Sequence, residues 1–222
     1  MIDADQALTK ARQISRYPVV DPHDLSGLPD DLRVRIQEIG ARSGFVPNVF
    51  LAMAHRPDEA RAFFAYHDAV MERSGGLSKA DRELIVVATS AANRCPYCVV
   101  AHGAIARVRT KNPHIADQVA THWPSAELTD RQRAMLDAAV KLAVQPWDFG
   151  ESDRESLRGH GFSDEDIWDI AAVTALFGLS NRMAHVMALR PNDEFYLLGR
   201  IPRAGRERSG DPAASTREAA EA

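Results

Sequence analysis

The sequence predicts an all-α fold, and three observations predict it. Four stretches carry the capping-box pattern of Ser or Thr followed three residues later by an acid or Gln: Ser78 with Asp81, Thr129 with Gln132, Ser152 with Glu155 and Ser163 with Asp166. In such a box the hydroxyl and the later side chain each satisfy a backbone N–H that a helix start leaves free. Pro29, Pro57, Pro113, Pro124 and the Gly75-Gly76 pair punctuate the chain at the edges of helix-forming stretches. Strand alternation is scarce. The best strand candidate, Leu84–Thr89, follows a cap and runs into Ser90-Ala91-Ala92, so it reads as helix.

The elements follow in order. A helix near 29–42 opens at Pro29, and a short one near 47–54 follows it. The helix near 57–73 opens at Pro57 and stops before Gly75-Gly76. The helix near 79–92 follows the Ser78 box. The next, near 95–109, has Pro96 at its first helical position, which suits a ring that lacks an N–H and makes Cys95 the N-cap. Pro113 and Pro124 bracket a helix near 113–122. The remaining boxes start helices near 130–144, 152–159 and 164–176, and a last helix is read near 178–190. Residues 1–200 are expected to form one domain. The tail from about 201 has almost no large apolar residues and is expected to be disordered.

Composition sets the outer limits. The chain has 222 residues, 45% hydrophobic and 26% charged, enough to bury a full core. Its formal net charge of −4 offers no excess of base to neutralise phosphates, so nucleic acid is not an expected partner. It contains no apolar run of about 18 residues, so no membrane span is expected. The opening MIDADQALTK is acidic and lacks the apolar stretch of a signal peptide. A cytoplasmic location is therefore expected. Two cysteines cannot form a disulfide framework in a chain this long.

The halves echo each other. Aligned on His102 and His185 without gaps, Glu83 falls opposite Asp166, Val87 opposite Ile170 and Ala101 opposite Ala184. Each half reads as a capped apolar helix, a polar break and a second helix carrying His, an internal pseudo-repeat of paired helices. Cys95 and Cys98 face Gly178 and Asn181, so one copy alone keeps thiols.

Cys95, Cys98 and His102 carry the chemistry. Cys95 and Cys98 are three apart and share a helix face, and His102 lies one turn beyond Cys98 on that face. An imidazole there can take a thiol proton, and the positive end of the helix dipole lowers a thiol pKa further, most strongly at Cys95. A thiolate with a second thiol in reach is what peroxide reduction or disulfide exchange requires: one sulfur becomes a sulfenic acid and the other resolves it as a disulfide. Glu83 lies on the preceding helix. An antiparallel packing would bring its carboxylate near the thiols, whereas alone it reads as a solvated first-turn acid.

Blander readings stand beside these. The cysteines could be inert core residues. Cys95, Cys98 and His102 supply three of the four ligands a structural zinc wants, and no second CxxC or HxxxH supplies more. Cys-Pro-Tyr-Cys is also the glutaredoxin tetrapeptide, but a thioredoxin-like fold needs strands around it that this chain does not offer. Trp123, Trp147 and Trp168, with Phe63, Phe64, Phe149 and Phe177, read as core or subunit contacts. His67 could line the pocket, but it reads more readily as a partly exposed surface residue and is left out of the site. Asn181, Arg182 and His185 could line the cleft if the two repeats pack together, but they read more readily as stabilising the interface between the repeats.

At these residues the chain resembles the alkylhydroperoxidase D and carboxymuconolactone decarboxylase superfamily. The shared pattern is Glu, eleven residues, Cys-x-x-Cys, three residues, His, met here by Glu83, Cys95, Cys98 and His102. GFVPNVFLAMAHRP before the motif and DIWDIAAVTALFGLSNRMAHVMALRPNDEF after it are similar to the peroxidase-related branch, and the resemblance covers about residues 40–200. Well-studied members carry a second His after the first cysteine, where this chain has Pro96 and Tyr97.

The resemblance implies an AhpD-like all-α fold of paired helical repeats, assembled as a homo-oligomer, a trimer or hexamer. It implies a thiol peroxidase acting on hydrogen peroxide or organic hydroperoxides, with no metal, haem or flavin and with an external dithiol or protein as reductant. Cys98 would become the sulfenic acid, Cys95 would donate a proton and resolve it, and His102 and Glu83 would form the proton relay. The alternatives are a non-redox enzyme on the same scaffold (a decarboxylase, isomerase or lactone hydrolase) and a redox-sensing module with a regulatory disulfide.

Overall fold

The computed structural model describes residues 14–200, so MIDADQALTK and the tail expected to be disordered lie outside the described residues. The described residues form helices and turns with no strand among them. The helices are α1 (Asp30–Ser43), α2 (Asn48–Met53), α3 (Pro57–Met71), α4 (Lys79–Ala92), α5 (Pro96–Thr110), α6 (Ile115–His122), α7 (Asp130–Val144), α8 (Glu151–Gly159), α9 (Asp164–Met187) and α10 (Glu194–Leu197).

Helix α4 is the axis of the molecule. Every residue from Asp81 to Ser90 is buried, and α5, α6, α7 and α9 pack around it. The apolar run Leu84–Ala88 that resembled a strand is thus a helix apolar on every side, because every side has a neighbour. Its start is fixed by the predicted box: Ser78 Oγ accepts from the Asp81 N–H at 3.0 Å and Asp81 Oδ2 accepts from the Ser78 N–H at 3.2 Å. Arg82, fully buried, pairs with Asp169 at 2.6 Å and ties α4 to α9.

Three of the four boxes form as read, at Ser78, Thr129 and Ser163. The fourth does not. Helix α8 starts at Glu151, with Gly150 rather than Ser152 as N-cap, and Asp153 Oδ2 accepts from the Gly150 N–H at 2.7 Å. The acid three residues after Gly150 outcompetes the hydroxyl box because its carboxylate also holds Lys141 at 2.9 Å.

The helices read at 164–176 and 178–190 are one 24-residue helix, α9. Gly178 does not break it. Glycine weakens a helix interior by about 1 kcal/mol, and the burial of Val173, Leu176, Phe177, Ala184 and Met187 along α9 outweighs that. The polar break between paired helices therefore belongs to the first half alone. The caps themselves align Asp81, rather than Glu83, with Asp166.

Of the aromatic residues read as contacts, Phe64 and Phe177 are buried, whereas Trp147 and Trp168 stand 81% and 70% exposed on the single chain. Among the described residues no helix is long and apolar enough to cross a membrane.

Candidate active site

The site forms where α4 gives way to α5. Arg94, in the left-handed region at φ 54°, ends α4, and its N–H donates to the Ala91 carbonyl at 2.9 Å. Cys95 follows as the N-cap of α5. Its carbonyl accepts the first helical bond, from the Val99 N–H at 3.1 Å, while its own N–H donates to the Ser90 carbonyl at 2.9 Å. The chain reverses within three residues, which lays α5 against α4 and brings the two cysteines back toward the core.

Helix α9 buttresses this turn. Asn181 is buried, donates from Nδ2 to Ser90 Oγ at 3.0 Å, and accepts from Asn93 Nδ2 at 3.0 Å. His185 Nε2 bonds the Asn93 carbonyl at 3.0 Å. These two residues thus stabilise the packing between the halves, as read from sequence. Arg182 instead bonds its own helix at the Gly178 carbonyl, 2.6 Å away.

Both cysteines are free thiols, each 1% exposed. The neighbouring Cys98 side chain is the main cause that lowers the Cys95 pKa to about 6. The Cys98 backbone N–H, His185 and the Tyr97 backbone N–H add to the effect against the opposing pull of burial. Cys98 shifts the other way: the Cys95 side chain and burial push it well above the ordinary thiol range, against hydrogen bonds from Ser180, at 3.7 Å, and Asn181. The pair is therefore polarised, with negative charge favoured on Cys95 and the proton favoured on Cys98.

The structure brings Glu83 and His102 together directly. Glu83 is 2% exposed, and its Oε2 lies 2.8 Å from His102 Nδ1. Glu83 is thus a buried partner of the histidine, neither a solvated first-turn acid nor a direct neighbour of the thiols. The carboxylate accepts from Nδ1–H, which fixes the tautomer and leaves Nε2 as the basic nitrogen. Arg109 Nη1 lies 3.2 Å from the other Glu83 oxygen, and Arg109 also holds Glu72 at 3.0 Å. Among the described residues no hydrogen bond joins His102 to either sulfur, and no group of three or more His, Cys, Asp or Glu side chains is arranged to hold a metal ion. The edge of Phe177 packs against the His102 ring with centroids 4.6 Å apart.

Tyr97 does not occupy the relay. It is buried, its hydroxyl accepts from the Val49 N–H at 3.1 Å, and burial raises its pKa. It anchors the start of α2.

Sequence reasoning missed four contributors. Arg109 was legible, being seven residues after His102 and so on the same helix face two turns on. Phe177 and Ser180 come from α9 and carry no local signal. His67, on α3, is half-buried with its ring 6.5 Å from Phe177 and 6.4 Å from His102.

Comparison with known proteins follows the same lines. The profile of the carboxymuconolactone decarboxylase family matches residues 57–141. A solved alkylhydroperoxidase AhpD core, an uncharacterized peroxidase-related protein from Ralstonia eutropha JMP134, is 62% identical over 86% of this chain and 98% of its own, with a TM-score of 0.83. An uncharacterized peroxidase-related protein from Silicibacter sp. TM1040 is 39% identical over 82% of this chain and 96% of its own, with a TM-score of 0.77. The debrominase Bmp8 shares the fold at 22% identity and a TM-score of 0.65, over 77% of this chain and 90% of its own. No curated protein matches the chain.

Proposed function

The chain belongs to the alkylhydroperoxidase D and carboxymuconolactone decarboxylase superfamily, and from that premise we propose that it is a cysteine-dependent peroxidase reducing hydrogen peroxide or organic hydroperoxides. One observation carries the reading: two buried free thiols at the start of α5 sit one helical turn from an imidazole held by a buried carboxylate.

Cys98 is the attacking sulfur. It needs its proton removed, and His102, four residues on, presents Nε2 as the base. A thiolate of higher intrinsic pKa is also the better nucleophile once formed. The Cys98 thiolate attacks the distal peroxide oxygen and displaces the alkoxide. The O–O bond breaks with two electrons from sulfur, the alkoxide takes the proton held by His102, and Cys98 is left as a sulfenic acid. The Cys95 thiolate then attacks that sulfur and expels hydroxide, which is protonated to water, forming the Cys95–Cys98 disulfide. An external dithiol or protein returns the pair to thiols.

We further propose a homo-oligomer. Trp168, Leu179 and Val186 are exposed at spacings of eleven and seven residues along α9, which puts them on one face. That supports a second copy covering them.

Stopped-flow consumption of cumene hydroperoxide by the reduced protein tests the function, with thiols counted by mass. The expected result is rapid loss of one peroxide per subunit with a Cys95–Cys98 disulfide, abolished in Cys98→Ser. A first step lost only in Cys95→Ser reverses the two roles. Reaction no faster than that of free cysteine overturns the peroxidase reading and turns attention to non-redox chemistry at Glu83 and His102.

A further inference from the structure

The site contains two imidazoles held in the same way. His102 Nδ1 is bonded to Glu83 at 2.8 Å, and Glu83 is held by Arg109 at 3.2 Å. His67 Nδ1 is bonded to Asp68 at 3.2 Å, and Asp68 is held by Arg35 at 2.8 Å. The two chains of Arg, carboxylate and His come from different helices, α5, α4 and α5 in one case, α1 and α3 in the other. They meet with ring centroids 6.4 Å apart, both beside Phe177. In each, Nδ1–H donates to the carboxylate, so each ring keeps Nε2 as a proton acceptor.

The proton count says why a second imidazole is useful. With Cys95 drawn toward its thiolate and Cys98 held protonated, the dithiol supplies one proton, from Cys98. Reduction of a hydroperoxide to an alcohol and water takes two. The Cys98 proton serves the alkoxide through His102. The hydroxide expelled when Cys95 closes the disulfide needs a proton from elsewhere.

We propose that His67 is the entry point for that second proton, taking it from solvent and passing it to His102. This rests on the peroxidase reading above. His67 is exposed enough to exchange protons with solvent, since its side chain is 29% exposed, against 14% for His102 and 2% for Glu83. The groups facing it are His102 on α5, Glu83 on α4 and its own neighbour Asp68 with Arg35 behind it. Burial and the nearby His102 ring lower the His67 pKa, while Asp68 and Glu83 oppose them. Two neighbouring imidazoles resist carrying charge together. His67 acts through His102 and is a positioning residue for the proton, not a group on the peroxide.

The experiment separates the two chemical steps in reduced protein. His67→Gln keeps a side chain able to bond Asp68 and removes the titrating ring. The expected result is a first step within about twofold of wild type and a disulfide-forming step slowed about tenfold to a hundredfold. Cys98 sulfenic acid should then accumulate, trapped with dimedone and counted by mass. Added 4-methylimidazole should restore the second step in proportion to its concentration, which a merely structural defect would not allow. His67→Asn provides the same readout if the Gln variant does not fold. Disulfide closure at the wild-type rate, or a slow closure indifferent to 4-methylimidazole, overturns the proposal.

A wild type inert to peroxide overturns the peroxidase reading instead. In that case ¹⁵N NMR titration of the imidazoles still decides the point about the pair. A shared proton gives His102 a titration that changes in His67→Gln, and an unchanged His102 titration refutes the sharing.

Discussion

Replacing Cys98 with Ala removes the side chain that does most to lower the Cys95 thiol to about 6. At pH 7 a thiol with that pKa is about nine-tenths thiolate, and one at the ordinary 9.0 is about one part in a hundred thiolate. The whole displacement corresponds to a factor of about a thousand in the ionisation equilibrium, on the order of 4 kcal/mol. The helix-start N–H groups and His185 remain in the variant, and so does the opposing burial. The Cys98→Ala protein should therefore lose about tenfold or more of its Cys95 thiolate at neutral pH, whereas Cys98→Ser, which keeps an O–H donor, should lose less. Ultraviolet thiolate absorbance of the reduced proteins, titrated from acid to alkali, reads this directly. A Cys95 in Cys98→Ala that titrates where the wild type does would refute that role of the Cys98 side chain. Stability follows with a defined sign. A group whose pKa is lower folded than unfolded stabilises above the unfolded value and loses that contribution as pH falls through the folded one. The Cys95 thiolate should contribute on the order of 1 kcal/mol at pH 7 and nearly nothing once the pH is well below about 6, measured as the urea stability difference between reduced wild type and Cys95→Ser.

Tyr97→Phe should lower stability by about 1 kcal/mol, because the Val49 N–H loses its acceptor, and should leave the peroxide step unchanged. A slowed reaction at unaltered stability would put the hydroxyl in the chemistry. Asn181→Ala should cost about 2 kcal/mol in urea denaturation, since it strands Ser90 and Asn93 together; a loss below experimental error would mean that α9 does not hold the turn. Glu83→Gln frees the His102 tautomer and should slow the first stopped-flow step about a hundredfold with the fold retained. A near-normal rate would remove Glu83 from the relay.

What was legible in the sequence was local. A cap spans four residues, and the boxes at Ser78, Thr129 and Ser163 were readable because the bonding partners are adjacent in the chain. Ser152 misled because Gly150 with Asp153 offers a rival start two residues earlier, strengthened by Lys141 from another helix. Gly178 misled because the destabilisation from glycine in a helix is small beside tertiary burial, which no window of sequence reports. The spacing of Glu83, Cys95, Cys98 and His102 was readable as one neighbourhood because a tight turn between two packed helices brings such positions together. His67, Phe177 and Ser180 arrive from α3 and α9, and their positions depend on how those helices dock.

The unbroken α9 has a consequence for how this site can change. Phe177 at the imidazole, Ser180 at Cys98, Asn181 at the turn and His185 behind Cys95 all hang from one rod. From Phe177 to His185 that rod is about 12 Å long, and its rise per residue sets every interval along it. The acid–base end and the sulfur end of the site are thus gauged by the same backbone. A slip or tilt of α9 shifts both ends together, so neither end can be retuned through α9 without moving the other. Independent adjustment has to come from the side facing it, where His67 on α3 and the turn at Arg94 answer to different parts of the chain.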